Sequence, residues 1–130
     1  MKIIKMNIIT RKYVRNNPQY LFLFGDNLIK NGYGGQAGAM RGEPNCIGIP
    51  TKRKPDMNPS SFFSDDIYEE IISIYEHLFE RIKEEYVKGK YEAIVIPSEG
   101  LGTGLARLNK YAPKIYEYLQ NKLKELEKGG

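Results

Sequence analysis

Apolar and polar positions along the chain fall into blocks that separate strands from helices. Residues 2–9 (KIIKMNII) and 45–50 (NCIGIP) read as short strands, and 20–25 (YLFLFG) and 91–96 (YEAIVI) as stronger ones, being almost wholly apolar. Such runs suit strands covered on both faces. Ile67, Ile71, Tyr75, Leu78, Ile82 and Tyr86 recur at spacings of three and four, which predicts one buried face of a helix. Ser64 with Asp65 and Asp66 supplies its N-cap and acidic first turn, and Lys88-Gly89 its stop. Ile115, Leu119, Leu123 and Leu126 repeat the pattern, with Pro113 in the first turn, and residues 127–130 (EKGG) are expected to fray. Strands buried on both faces and separated by helices predict a three-layer α/β/α fold with a mostly parallel sheet, one domain over residues 1–130. The segment 53–63 (RKPDMNPSSFF) is the longest expected loop and a candidate lid.

Composition narrows the chemistry. A chain of 130 residues supports one core and leaves no room for separate cofactor and substrate domains. No apolar run approaches the roughly 18 residues of a membrane span, so no membrane partner is expected. MKIIKMNIIT lacks a continuous apolar signal region, which makes the cytoplasm the expected compartment. One cysteine, Cys46, and one histidine, His77, make neither an internal disulfide nor a zinc centre, so neither metal nor cofactor is expected. His77 falls within the amphipathic stretch, where a surface position is the ordinary explanation. Lys+Arg 20 against Asp+Glu 16 gives a formal charge of +4, which favours anionic ligands without requiring nucleic acid.

Two glycine-rich loops follow the strongest strands. The first runs from Gly25-Asp26-Asn27-Leu28 through Gly32-Tyr33-Gly34-Gly35-Gln36-Ala37-Gly38-Ala39-Met40, where GQAGAM can open a helix. The second is Pro97-Ser98-Glu99-Gly100-Leu101-Gly102-Thr103-Gly104-Leu105. In an open parallel sheet, ligands bind beyond the carboxyl ends of the strands, so both loops are expected to face one site and to cradle a pyrophosphate. The candidate binding residues are Asn27, Tyr33, Gly34, Gly35, Gln36 and Ala37 from the first loop, and Ser98, Gly100, Gly102, Thr103, Gly104 and Leu105 from the second. Asp26 and Glu99 flank this pocket as candidate catalytic carboxylates, a water-activating base or a general acid. Asp26 capping loop amides and an exposed Glu99 are the structural alternatives. No GxxxxGK[ST] occurs, which argues against phosphate-loop nucleotide hydrolysis, and the length argues against a nicotinamide dehydrogenase.

At these residues the sequence resembles a macrodomain, the family that binds ADP-ribose and in several branches hydrolyses its derivatives. LFLFGDN leading to GYGGQAGAM places Asn27 at the family's motif asparagine, and IVIPSEGLGTGL matches its later strand and glycine loop. FGDNL, GYGGQA, IPTK and GTGL together are similar to short proteins of bacterial and phage genomes. The nearest branch removes ADP-ribose from acidic side chains or DNA bases, and the resemblance assigns Lys52 of IGIPTK to its catalytic lysine. An amine there could form a Schiff base with the opened ribose, and an ammonium could stabilise a leaving carboxylate. A solvated basic turn at Lys52-Arg53-Lys54 is the structural alternative.

Two positions depart from the family pattern. Ala106 stands where that branch has an aspartate, and MNIIT offers no acid to read adenine. Tyr33, Phe62, Phe63 and Tyr111 are the candidate stacking partners for the base. The implied function is binding of ADP-ribose or a related nucleotide, with hydrolysis of an ADP-ribosyl linkage on protein or DNA. A catalytically silent nucleotide sensor is the alternative, and nucleic-acid binding through Lys52, Arg53, Lys54 and the C-terminal lysines is a third reading.

Overall fold

The computed structural model describes residues 1–129. The apolar runs form strands β1 (Ile3–Met6), β2 (Tyr20–Asn27), β3 (Cys46–Lys52) and β4 (Ala93–Pro97), paired in the order β1-β4-β2-β3 with every neighbour parallel. Helices α1 (Arg11–Asn16) and α2 (Ala37–Met40) cover one face; α3 (Tyr68–Lys88), α4 (Leu108–Tyr111) and α5 (Pro113–Lys128) cover the other. Successive strand side chains point to opposite faces. Leu21, Leu23, Ile47, Ile49 and Ile94 therefore share a core with Tyr75, Phe79, Ile115 and Leu119. Phe22, Phe24 and Val95 pack instead with Val14, Ala37 and Met40. The expected parallel α/β fold with helices on both faces is what forms.

Boundaries moved for local reasons. β1 is shorter than 2–9, ending before Ile8, which is exposed. β2 continues past Gly25 because Asp26 and Asn27 still pair with β3. α1 was not expected; Thr10 caps it by accepting from the Tyr13 N–H. Ser64 does not cap α3, since a 3₁₀ turn at Asp65–Ile67 intervenes. The Asp65 carboxylate instead accepts from the Lys114 and Ile115 N–H groups at 3.1 and 3.2 Å, capping α5, where Pro113 occupies the first turn as expected. Residues 127 and 128 are helical rather than frayed, and the expectation for Gly130 falls outside the described residues.

Asn45 ties α1 to the sheet. Its buried side-chain amide donates to the carbonyls of Val14, Asn17 and Tyr20 at 3.1–3.2 Å. Asn45→Ala removes all three bonds and is expected to cost about 2 kcal/mol. Urea denaturation checks this, and an unchanged midpoint would show that the three bonds contribute nothing.

Candidate functional site

β2 and β4 are neighbours, and the chain leaves them toward opposite faces, from β2 to α2 and from β4 to α4 and α5. This is a switch point of an open parallel sheet, where the departing loops leave a crevice at the strand ends. A cavity of about 460 Å³ occupies it. Both glycine loops line it, and it gathers Asp26, Lys52 and Glu99 together with Asn27, Gly34, Gly35, Gln36, Ala37, Gly100, Gly102, Thr103, Gly104 and Leu105. Tyr33 and Ser98 lie off the lining: Tyr33 is 69% exposed, and the Ser98 hydroxyl donates to the Asn7 side chain. None of the four proposed stacking residues reaches the cavity. Phe62 packs against Tyr111 with centroids 4.7 Å apart, beside a separate shallow depression, and Phe63 is in the core.

Lys52 departs furthest from ordinary lysine behaviour. It is only 6% exposed. The β2–β3 register shifts here: Asp26 pairs with Pro50 and Asn27 with Lys52, so the ladder skips Thr51. Such a bulge re-aims the side chain that follows it. Tyr75 holds the preceding strand residue through its hydroxyl, which donates to the Pro50 carbonyl at 2.7 Å. The 53–61 segment then folds back, with Arg53 N–H on the Ser61 carbonyl and a bridge between Lys52 and Phe62. The Lys52 ammonium donates to the Asp56 carbonyl, lies 4.6 Å from the Phe62 ring centroid and 3.7 Å from Met57 Sδ.

Among the described residues, Lys52 has no carboxylate partner. The nearby Asp56 carboxylate accepts from the Ser61 hydroxyl and the Asn58 N–H, and these bonds hold it below the ordinary aspartate value. Burial lowers the Lys52 pKa, with Asp56 opposing and Arg107 adding to the fall. Arg107 was missed in the sequence. It adopts φ 46°, a left-handed conformation that non-glycine residues seldom take. The 53–63 segment, expected as a lid, is in this structure a hairpin-like wall packed on Lys52.

The two carboxylates differ. Asp26 is committed: one oxygen accepts from Arg41 Nη2 at 2.6 Å and from the Asn27 N–H at 2.8 Å, and the other lies against Gly48. Arg41, also missed, further donates to the carbonyls of Gly32 and Asn31, so this ion pair fastens the first glycine loop. Glu99 is exposed and, among the described residues, in no ion pair. Asn27 is buried, and its amide latches the chain by exchanging bonds with the Asn31 backbone. Gln36 Oε1 is buried without a hydrogen-bond partner among the described residues. Ala106, 8% exposed, is in the lining and offers no acid.

A family model matches residues 4–122. The chain belongs to DUF7831, a family of unknown function. The DUF7831 match spans β1 from its second residue, β2, β3, β4, both glycine loops and Lys52. No curated protein and no solved structure matches the chain. Among the described residues no helix is long and apolar enough to cross a membrane, and no group of three His, Cys, Asp or Glu side chains is placed to hold a metal.

Met57 and Leu105 add two exposed apolar side chains to the cavity lining. Of the eight large hydrophobic residues exposed among those described, Ile8, Leu28, Ile29, Tyr33, Met57 and Leu105 stand on segments that follow strand carboxyl ends.

Proposed function

We propose that this cavity binds ADP-ribose or a closely related nucleotide, the pyrophosphate lying between the two glycine loops, and that Lys52 acts on an ADP-ribosyl linkage. One observation carries the reading: a buried lysine with no carboxylate partner lies where the two loops converge. A buried cation with no directly paired carboxylate is costly, and the negative charge that develops on a departing group relieves that cost. Gln36 Oε1 adds an unused acceptor for a ligand hydroxyl or amino group.

The chemistry follows from the lowered Lys52 pKa. A larger amine fraction favours attack at the ribose C1″, which breaks the linkage with departure of the carboxylate or base nitrogen; the glycosylamine formed opens to an imine, and water hydrolyses it to amine and free sugar. Where Lys52 stays protonated, its ammonium stabilises a departing carboxylate. Glu99, rather than the committed Asp26, is the acid free to handle the proton.

The sensor reading has its own support, because Ala106 supplies no acid and Arg41 holds Asp26. Calorimetry with ADP-ribose, ADP and NAD, followed by incubation with ADP-ribosylated protein and DNA, separates the two. Binding with product release supports the enzyme, binding without turnover the sensor, and absence of nucleotide binding removes both. The +4 charge gives weak DNA binding that fades as salt rises. Tight, sequence-selective binding at physiological salt would establish the nucleic-acid reading instead.

A further inference from the structure

A second, larger cavity lies on the open edge of the sheet. It is a groove of about 750 Å³ along β3, between the chain following β2 and the flank of α3. Phe24, Ile47, Ile74 and Leu78 give it apolar walls, and Lys30 and Arg81 stand in the same lining with His77. Among the described residues its only carboxylate is Asp26, already paired to Arg41, so the remaining cations have no acid in the groove. Among the described residues, neither Lys30 nor Arg81 is in an ion pair elsewhere. The volume is in the range of small-molecule sites. A peptide strand would fit poorly: Pro50 has no N–H, its carbonyl takes the Tyr75 hydroxyl, and the Cys46 N–H is used by Glu43.

We propose that this groove is an effector site for a small amphipathic anion, an aromatic body bearing one carboxylate, sulfonate or phosphate, coupled to the glycine-loop cavity through Arg41. The apolar walls remove the ring from water and the unmatched cations hold the anionic substituent. Arg41 belongs to both cavities. Its guanidinium lies 5.7 Å from the Phe24 centroid in the groove and bonds to Asp26, Asn31 and Gly32 beneath the first glycine loop. An anion in the groove competes with Asp26 and these carbonyls for that guanidinium, loosening the loop. The coupling is reciprocal, so nucleotide in the glycine-loop cavity must change effector affinity by the same factor. Only the coupling rests on the nucleotide reading; occupancy of the groove does not.

The test uses anilinonaphthalene sulfonate as the probe, followed by fluorescence and by amide and Arg41 Nε–H resonances. Saturable one-site binding is expected, shifting Gly48, Ile74, Leu78 and Arg41. Ser73→Trp fills the groove from an exposed helix position, and Lys30→Glu with Arg81→Glu reverses its charge. Each is expected to weaken the probe by about tenfold or more, while Ser73→Trp leaves ADP-ribose affinity unchanged. Non-saturable binding, shifts confined to exposed residues such as Ile8 and Val87, or equal binding by the variants would overturn the site. Saturating probe should lower ADP-ribose affinity in the wild type and not in Ser73→Trp; an unchanged affinity overturns the coupling. Should ADP-ribose fail to bind at all, the nucleotide reading falls, the fluorescence still decides the groove, and an unmoved Arg41 resonance overturns the coupling.

Discussion

Lys52→Met is expected to stabilise the fold by about 1 kcal/mol while cutting turnover by at least about a hundredfold. Methionine keeps the length of the side chain and its contact with Phe62, and removes a buried charge that has no carboxylate partner. ADP-ribose itself lacks the departing group, so its affinity should change by only a few fold. The two effects have opposite signs, which separates a functional lysine from a structural one. A variant that loses stability would make Lys52 a structural element, and one that keeps full turnover would remove it from the chemistry.

The pH dependence gives a second check on the same substitution. Below its lowered native pKa, Lys52 is charged in both folded and unfolded chains, and the burial penalty is fully present. Between that value and the ordinary 10.5, the unfolded chain holds the extra proton, so native stability gains from this group as pH rises. The advantage of Lys52→Met should shrink through that window. Cys46 and Tyr118, each pushed up to about 12 chiefly by burial, lose stability at alkaline pH but are common to both proteins and cancel in the difference.

Gly102→Val and Gly104→Val are expected to fail in different ways. Gly102 has φ 89°, and a Cβ there would lie 2.9 Å from Leu108 Cβ and Cδ2. Left-handed strain and overpacking together should cost about 3 kcal/mol or more, enough to unfold much of the population. Gly102 is thus a glycine for packing reasons, and its substitution reports on the fold rather than the ligand. Gly104 has an ordinary φ and nothing within 4 Å of an added Cβ, yet it lines the cavity. Gly104→Val should keep its melting temperature within a few degrees and lose nucleotide binding by about thirtyfold or more, because the branched side chain occupies the cradle. Undiminished binding by folded Gly104→Val would take the second loop out of the site.

How far the sequence disclosed this arrangement depended on whether the cause was local. β2 and β4 were legible because an apolar run covered on both faces leaves its mark in consecutive residues, and α3 because its buried face repeats every third or fourth. α1 left little trace, since RKYVRN buries only Val14. Asp65 could be read as a helix-capping acid, but the helix it caps begins 48 residues later, at Pro113. Lys52 within Lys52-Arg53-Lys54 looks solvated; a ladder irregularity and the returning 53–61 segment bury it, and neither has a periodic signature. The Asp26–Arg41 pair joins residues fifteen apart across the first glycine loop, so the commitment of Asp26 appears only in three dimensions.

The two helical layers are unequal. Eighteen buried residues form the core under α3, α4 and α5, against seven under α1 and α2. Amide exchange reports local opening, which is easiest where few apolar contacts must part. The lighter layer, including α2 and the glycine loop leading into it, is therefore expected to exchange faster, while the second loop is anchored to the heavier half through Leu108, whose N–H donates to the Gly102 carbonyl. A molecule seated between the loops spans a slow-exchanging wall and a fast-exchanging one. Part of its binding free energy is spent quieting the lighter half, and the protection it confers should spread from the first loop back through α1.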